Sequence, residues 1–449
     1  MAVRHQPETA GRDLQAQRAV RAAFIGFFVD MYDVYLPIAA LAPALVYFIP
    51  GDLSGTTRAT IFFLIFAVTL IGRPVGAVIF GHFGDTIGRR RTTLISVAGF
   101  TVATLLITIL PGYESWGMAA VALLIALRFI DGVFIGGEYT AANPLAMEYA
   151  DKEKRGLYGS LIHVGYPGAL LAISALTALM LQFAPADGPD SAYAQWGWRV
   201  PFAIGVVLSA GLFLYYYHKV PESELWRAAK KTHSPLRELL RGDSVRRLAQ
   251  LFIVMTGAWL TLNATVGALP GIADVLGVEG QAVNTGTLIA AGIAVILFPF
   301  LGMLSQRWGR RPTITAIGLL NTLPAGLLYY WLVSTGYRSQ ALLVGLVAVI
   351  SLLGLLLWAV HTPYLVESFR TGVRAAGYGI SYSLATIIPG FYSFYLLGLA
   401  AFMPYEYTPV VLLVLGGAFL AVGALAGPET RDVDFRSEEV QQRSETGGG

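Results

Sequence analysis

Twelve stretches of this chain are long and apolar enough to cross a lipid bilayer, and that pattern constrains the fold more than any other feature. A spanning helix needs about 20 mostly apolar residues. By hydropathy the stretches run 22–48, 59–83, 91–110, 118–146, 157–181, 198–218, 247–275, 283–306, 312–334, 340–366, 375–400 and 407–427. Only 13% of the 449 residues are charged and 55% are hydrophobic. That balance excludes a soluble enzyme, a nucleic-acid binder and a disordered protein. There is no cysteine, so disulfides and thiolate metal sites are ruled out. His, Ser and the acids show no nucleophile or metal-ligand spacing, so no enzyme chemistry, metal or cofactor is expected.

The basic residues set the topology. Of 31 Lys and Arg, 26 fall in the tails and connections on one side, against Arg58 and Arg338 on the other. The positive-inside rule puts the richer side, with both termini, in the cytoplasm. An even helix number agrees with termini on one side. The expected fold is an all-α membrane protein with twelve transmembrane helices in two pseudo-symmetric six-helix bundles, 22–218 and 247–427. A cytoplasmic tail (1–21) precedes them, and a cytoplasmic linker (219–246), read as solvated with one surface helix, joins them. The polar end, 428–449, is expected to be disordered.

An internal repeat supports the two halves. Gly81-His-Phe-Gly-Asp85-Thr-Ile-Gly88-Arg89-Arg90-Arg91-Thr92 follows the second stretch. Gly302-Met-Leu-Ser-Gln306-Arg307-Trp-Gly309-Arg310-Arg311-Pro-Thr313 follows the eighth. Repeated halves with a site at their interface are a signature of secondary transporters. These loops resemble the loop 2–3 signature of the major facilitator superfamily and its degenerate second copy. Arg128-Phe-Ile-Asp131-Gly132, with Gly136, is similar to the family's helix 4 signature.

Finer matches resemble the metabolite:proton symporter branch: Asp30-Met-Tyr32-Asp33-Val-Tyr35, Gly137-Glu138-Tyr139, Arg155-Gly156-Leu-Tyr158-Gly159-Ser160, Trp196-Gly-Trp198-Arg199 and Glu367-Ser-Phe-Arg370 through Arg374. Pro221-Glu222-Ser223 and Pro428-Glu429-Thr430 also resemble sugar-porter boundary motifs. Two positions depart from the branch pattern. Asp131 and His163 stand where the resemblance implies glutamine, so its substrate residues do not transfer directly.

Charges inside a membrane are costly and usually face partners or a water-filled cavity. They are concentrated in the first half: Asp30, Asp33, Arg73, Arg128, Asp131, Glu138 and His163. By helix rise, Asp33 and Arg128 lie about 15–16 Å from the nearer helix ends, close to the midplane. The expected proton-coupling residues are Asp33 first, then Asp30, Asp131, Glu138 and His163. Arg128 is expected to bind a substrate carboxylate, with Tyr32, Tyr35, Trp259, Asn263, Trp358 and Tyr382 as neutral lining. The gate that the resemblance implies on the cytoplasmic side comprises Gly81, Asp85, Gly88, Arg89 and Arg90, with Arg73. Lacking an acid, the Gln306 copy should be the weaker one.

These readings point to a monomeric, multi-pass protein of the cytoplasmic membrane that works by proton-coupled symport. Its expected partners are protons, lipid and a small organic anion or zwitterion, with no nucleic acid. A sugar or phosphate transporter and a non-transporting sensor are the alternatives.

Overall fold

The structure, a computed structural model, describes residues 6–49, 55–188, 190–229, 234–278, 280–335 and 339–435. Among these residues there is no strand. Twelve helices are long and apolar enough to span a membrane. In the first half they are α1 (Leu14–Tyr47), α2 (Ala67–Thr86), α3 (Arg89–Thr108), α4 (Met118–Tyr149), α5 (Lys152–Phe183) and α6 (Tyr193–Lys219). In the second half they are α7 (Gly242–Ala273), α8 (Gly280–Trp308), α9 (Arg310–Ser334), α10 (Gln340–Glu367), α11 (Thr371–Leu399) and α12 (Tyr405–Ala426). Large apolar side chains such as Val207, Ile296 and Phe394 stay exposed, as a surface facing lipid requires.

In the first bundle α2 lies along α4, and α3 packs on α4 and α6. In the second, α7 and α9 lie along α12 and α8 along α10. The halves meet where α2 faces α11 and α5 faces α8. Small residues make the tightest of these contacts. A Cβ on Gly72 or Gly76 of α2, or on Gly132 or Gly136 of α4, would strike the facing backbone. Such close approach is how helices associate in lipid, where apolar burial gives little net drive.

Helices α7, α10 and α11 of the second half lose regular winding within their spans, as α9 does at Asn321–Ala325. A π turn occupies Asn263–Gly267 in α7, and 3-10 turns occupy Leu356–Ala359 in α10 and Leu384–Thr386 in α11. Irregular winding mid-span often marks a functional position.

Both ends of the described chain lie on the face that carries Gly88 and Gly309, called here the terminal face. Three expectations are corrected there. The first helix begins at Gln6, not at 22, and hides Ala16, Ala19 and Val20 among its charges. Instead of one solvated helix, the linker has two docked ones, Glu224–Ala228 and Pro235–Leu239. Ser223 caps the first by accepting from Trp226 N at 3.1 Å, and the buried Trp226 indole donates to the Asp85 carbonyl at 2.9 Å. Residues 428–435, assigned to a disordered end, are folded. Glu429 accepts from the backbone N–H of Arg310 at 2.8 Å, and Phe435 is buried. A helix N-terminus needs an acceptor, and Glu429 supplies it. The rest of the expected disorder (436–449), residues 1–5 and 230–233 of the linker lie outside the described residues.

Candidate functional site

Arg73 sits where the halves meet. It extends from α2 beside the glycines that seat this helix on α4, and its own carbonyl faces Gly136. One turn along α4 lies Tyr139. The Arg73 guanidinium carbon is 5.0 Å from the centre of the Tyr139 ring, 5.9 Å from Trp259 and 5.8 Å from Tyr382. The cage therefore draws on α4, α7 and α11, from both bundles. Arg73 is buried, and its Nε and Nη2 have no hydrogen-bond partner. The Trp358 indole N–H is also buried and unpartnered, against Trp259 at 4.7 Å between ring centres. Buried donors left unmatched are costly, so this cluster is a place for an acceptor, above all an anion.

The residues around the cage are held in place. Trp259 donates to the Tyr382 carbonyl at 3.2 Å, and Asn263 donates to the Pro389 carbonyl at 2.8 Å. Tyr35 donates to the Tyr166 hydroxyl at 3.0 Å, and Tyr166 lies 6.4 Å from Trp358. Tyr32 points elsewhere, donating to the Pro201 carbonyl of α6 at 3.0 Å. Across the halves, Tyr139 bonds Ser383 and Asn143 donates to Tyr378 at 2.7 Å. His163 stacks edge-on against His361 at 4.2 Å, with Thr362 at 3.2 Å from its Nδ1.

The buried acids form two pairs. Asp30 of α1 and Glu138 of α4 are both buried, and the Glu138 carboxyl packs on Gly26, one helical turn along α1 from Asp30. Asp33 and Asp131 share Arg128, at 2.6 and 2.9 Å. Thr104 of α3 donates to Asp33 at 2.6 Å, and Arg128 Nη2 donates to the Asp33 carbonyl at 3.3 Å.

Arg128 is thus enclosed by α1, α3 and α4 of the first bundle, with its charge already matched by two acids. The structure thus places Arg128, expected to bind a substrate carboxylate, in an ion-pair cluster with Asp33 and Asp131. Arg73, expected at the gate, is about 18 Å along α2 from Asp85 by helix rise and belongs to the cage instead. Tyr139, Tyr166 and His361 were not among the expected site residues, although Tyr139 stands beside Glu138 in a quoted motif.

The gate residues do assemble on the terminal face. Asp85 pairs with Arg89 and accepts from the backbone N–H of Ala375 and Ala376, at 3.1 and 2.9 Å, at the start of a helical turn in α11. Arg89 also donates to the Thr371 carbonyl at 2.7 Å and reaches Glu148 at 3.3 Å. Gly81 lets α11 approach, since a Cβ there would meet the Ala376 backbone. Gly88 turns at φ 116°, and Glu222 accepts from the N–H groups of Arg89 and Arg90.

A second copy mirrors the first. Gln306 accepts from Gly156 N at 3.0 Å, Arg310 pairs with Glu367 at 3.2 Å, and Glu429 caps Arg310 and Arg311. Glu148 pairs with Arg374 of the other bundle at 2.9 Å, and Glu367 approaches Arg155 at 3.9 Å. Glu148 and Glu367 went unremarked as gate residues, although each precedes its repeat's arginine, Arg155 or Arg374, by seven positions. Among the described residues, the hydrogen bonds between the halves lie from the cage to the terminal face. The terminal face is therefore closed.

Asp85→Asn weakens its charge-assisted contacts, each of the order of 1.5–3 kcal/mol, and should raise the fraction open on the terminal face roughly tenfold or more. Ser160 lies buried at the α5–α8 contact, so a cysteine there reports opening by maleimide labelling against no background thiols. An unchanged labelling rate would remove Asp85 from gating.

The Major Facilitator Superfamily profile matches residues 23–389. The chain belongs to this superfamily. As a member it is a transporter, not an enzyme, and a multi-pass protein of the plasma membrane. It is 30% identical over 427 residues to the shikimate transporter of Escherichia coli (strain K12), covering 91% of this chain and 93% of the relative. The alpha-ketoglutarate permease of the same organism is 30% identical over 380 residues, covering 83% and 84%. Among solved structures, the proton:xylose symporter XylE bound to 6-bromo-6-deoxy-D-glucose superposes with a TM-score of 0.71 at 16% identity, covering 91% of this chain and 94% of that one. This last likeness concerns the superfamily fold alone.

Proposed function

We propose that this superfamily member is a proton-coupled symporter of small organic anions. Arg73 binds the substrate carboxylate, and the Asp30–Glu138 pair holds the coupled proton. The observation that carries the reading is the buried Arg73 guanidinium, with two unpartnered nitrogens, inside an aromatic cage built from both bundles. Relatives that carry shikimate and alpha-ketoglutarate by name support a carboxylate.

Charge balance gives the coupling. Unmatched charge is expensive at this depth. Without substrate, Arg73 is offset by a carboxyl pair holding one proton. When a carboxylate occupies Arg73, neutrality requires one further proton on the pair. One proton thus enters with each negative charge, and the halves rock around a neutral load. The positive-inside rule sets the basic terminal face in the cytoplasm, so the closed terminal face corresponds to an outward-facing state.

The test is uptake of labelled shikimate and alpha-ketoglutarate by proteoliposomes under an imposed pH gradient. Accumulation that an uncoupler abolishes is the expected result. Uptake indifferent to the gradient would make the protein a facilitator, binding without uptake would make it a sensor, and preference for an uncharged sugar would displace the carboxylate.

A further inference from the structure

The C-terminal segment occupies a slot between the two bundles on the terminal face. Phe435 is only 1% exposed although polar residues flank it. Its ring centre is 3.5 Å from the Arg155 guanidinium carbon and 3.8 Å from that of Arg374. Arg155 belongs to α5 of the first bundle and Arg374 to α11 of the second. Each arginine also approaches an acid of the opposite bundle, Glu367 and Glu148 respectively.

The backbone leading to Phe435 is bound as well. Arg155 donates to the Val433 carbonyl at 2.7 Å, the buried Thr430 hydroxyl donates to Glu367 at 2.9 Å, and Arg431 donates to the Arg307 carbonyl at 2.9 Å. The segment is covalently part of the second bundle, yet two of its contacts, the ring and the Val433 carbonyl, reach Arg155 of the first.

We propose that residues 430–435 form a latch docked between the halves, which holds the terminal face closed and must leave its slot before that face opens. The physical basis is geometric. Opening carries Arg155 away from Arg374, and one ring cannot stay against both guanidiniums. Contacts made in only one of two states shift the equilibrium toward that state. Desolvated cation–π contacts are among the stronger examples, and this ring makes two. The ring also separates two like charges that the closed face forces together. The segment is therefore a control on the transport cycle, and its removal should speed opening of the terminal face. This inference requires that the terminal face opens, but not that any particular substrate or proton is carried.

The test uses the full-length protein in lipid nanodiscs with Ser160→Cys as reporter and an impermeant maleimide as probe. Phe435→Ala, and separately truncation after Thr430, should each raise the labelling rate about tenfold. Phe435→Trp, which keeps an aromatic face, should label at the parent rate. A second reporter, Ala169→Cys, lies in the core of the first bundle and should stay unreactive in every background. Parent-like labelling of Ser160→Cys in both the alanine and the truncated protein would overturn the latch. So would a parallel rise at Ala169→Cys, which would mean that the bundle itself had loosened. Because neither readout needs a substrate, failure of the carboxylate reading would leave this result standing.

Discussion

Arg73→Gln should abolish carboxylate binding, and Arg73→Lys should weaken it by at least about a hundredfold although the charge is kept. A guanidinium presents a planar fork that holds both oxygens of a carboxylate, and an ammonium does not. Loss of two charge-assisted hydrogen bonds, at about 1.5–3 kcal/mol each, accounts for that factor. The contrast is Arg128. Its partners Asp33 and Asp131, with Thr104 bound to the former, all lie within the first bundle, so Arg128→Lys should leave affinity near the parent value. Arg128→Gln should lower stability by about 3–5 kcal/mol, because it strands two buried acids. Equilibrium binding of labelled shikimate or alpha-ketoglutarate, beside thermal unfolding of the same variants, separates the two arginines. Parent-like binding by the Arg73→Lys variant would sink the carboxylate fork. Loss of binding in the Arg128→Lys variant would return the site to the first bundle's interior.

Asp30→Asn combined with Glu138→Gln should eliminate pH-driven accumulation while sparing exchange of substrate across the membrane. Both substitutions keep volume and hydrogen-bonding capacity but remove the titratable protons. The loaded site stays neutral without a proton step, so carboxylate still exchanges, while the empty site, left with an unmatched Arg73 charge, returns poorly. Counterflow in proteoliposomes measures exchange, and accumulation under an imposed gradient measures coupling. Full accumulation by the double variant would take the proton away from this pair and leave Asp33 and Asp131 as its carriers.

The contrast between the two arginines also shows what the sequence discloses and what it conceals. The twelve spans were legible because a bilayer leaves a run of about 20 apolar residues no other use. The cluster at Asp85 was legible because its glycines and arginines recur around Gln306. Depth was legible only in part, since Arg73 was grouped with a gate about 18 Å along α2 from it. Azimuth was not. Arg73 and Arg128 lie deep in neighbouring helices, and the glycine contacts between α2 and α4 help set which way these helices face. Those contacts depend on backbone approach, which hydropathy does not record. The tail failed for a different reason: one phenylalanine among charges carries no periodic signal, and its burial depends on two arginines distant in sequence, Arg155 and Arg374.

The two copies of the gate are unequal, and the difference has a direction. On the α2–α11 side, Asp85 offers a full negative charge to two backbone N–H groups. On the α5–α8 side, Gln306 offers a neutral amide oxygen to one, that of Gly156. Charged acceptors bind roughly twice as strongly as neutral ones, so the two seams do not yield together. By this difference the α5–α8 seam should part first, with the α2–α11 seam as the hinge. Cargo released in that order would leave by a side door, off the central axis, as the bundles swing like a book opened from one edge.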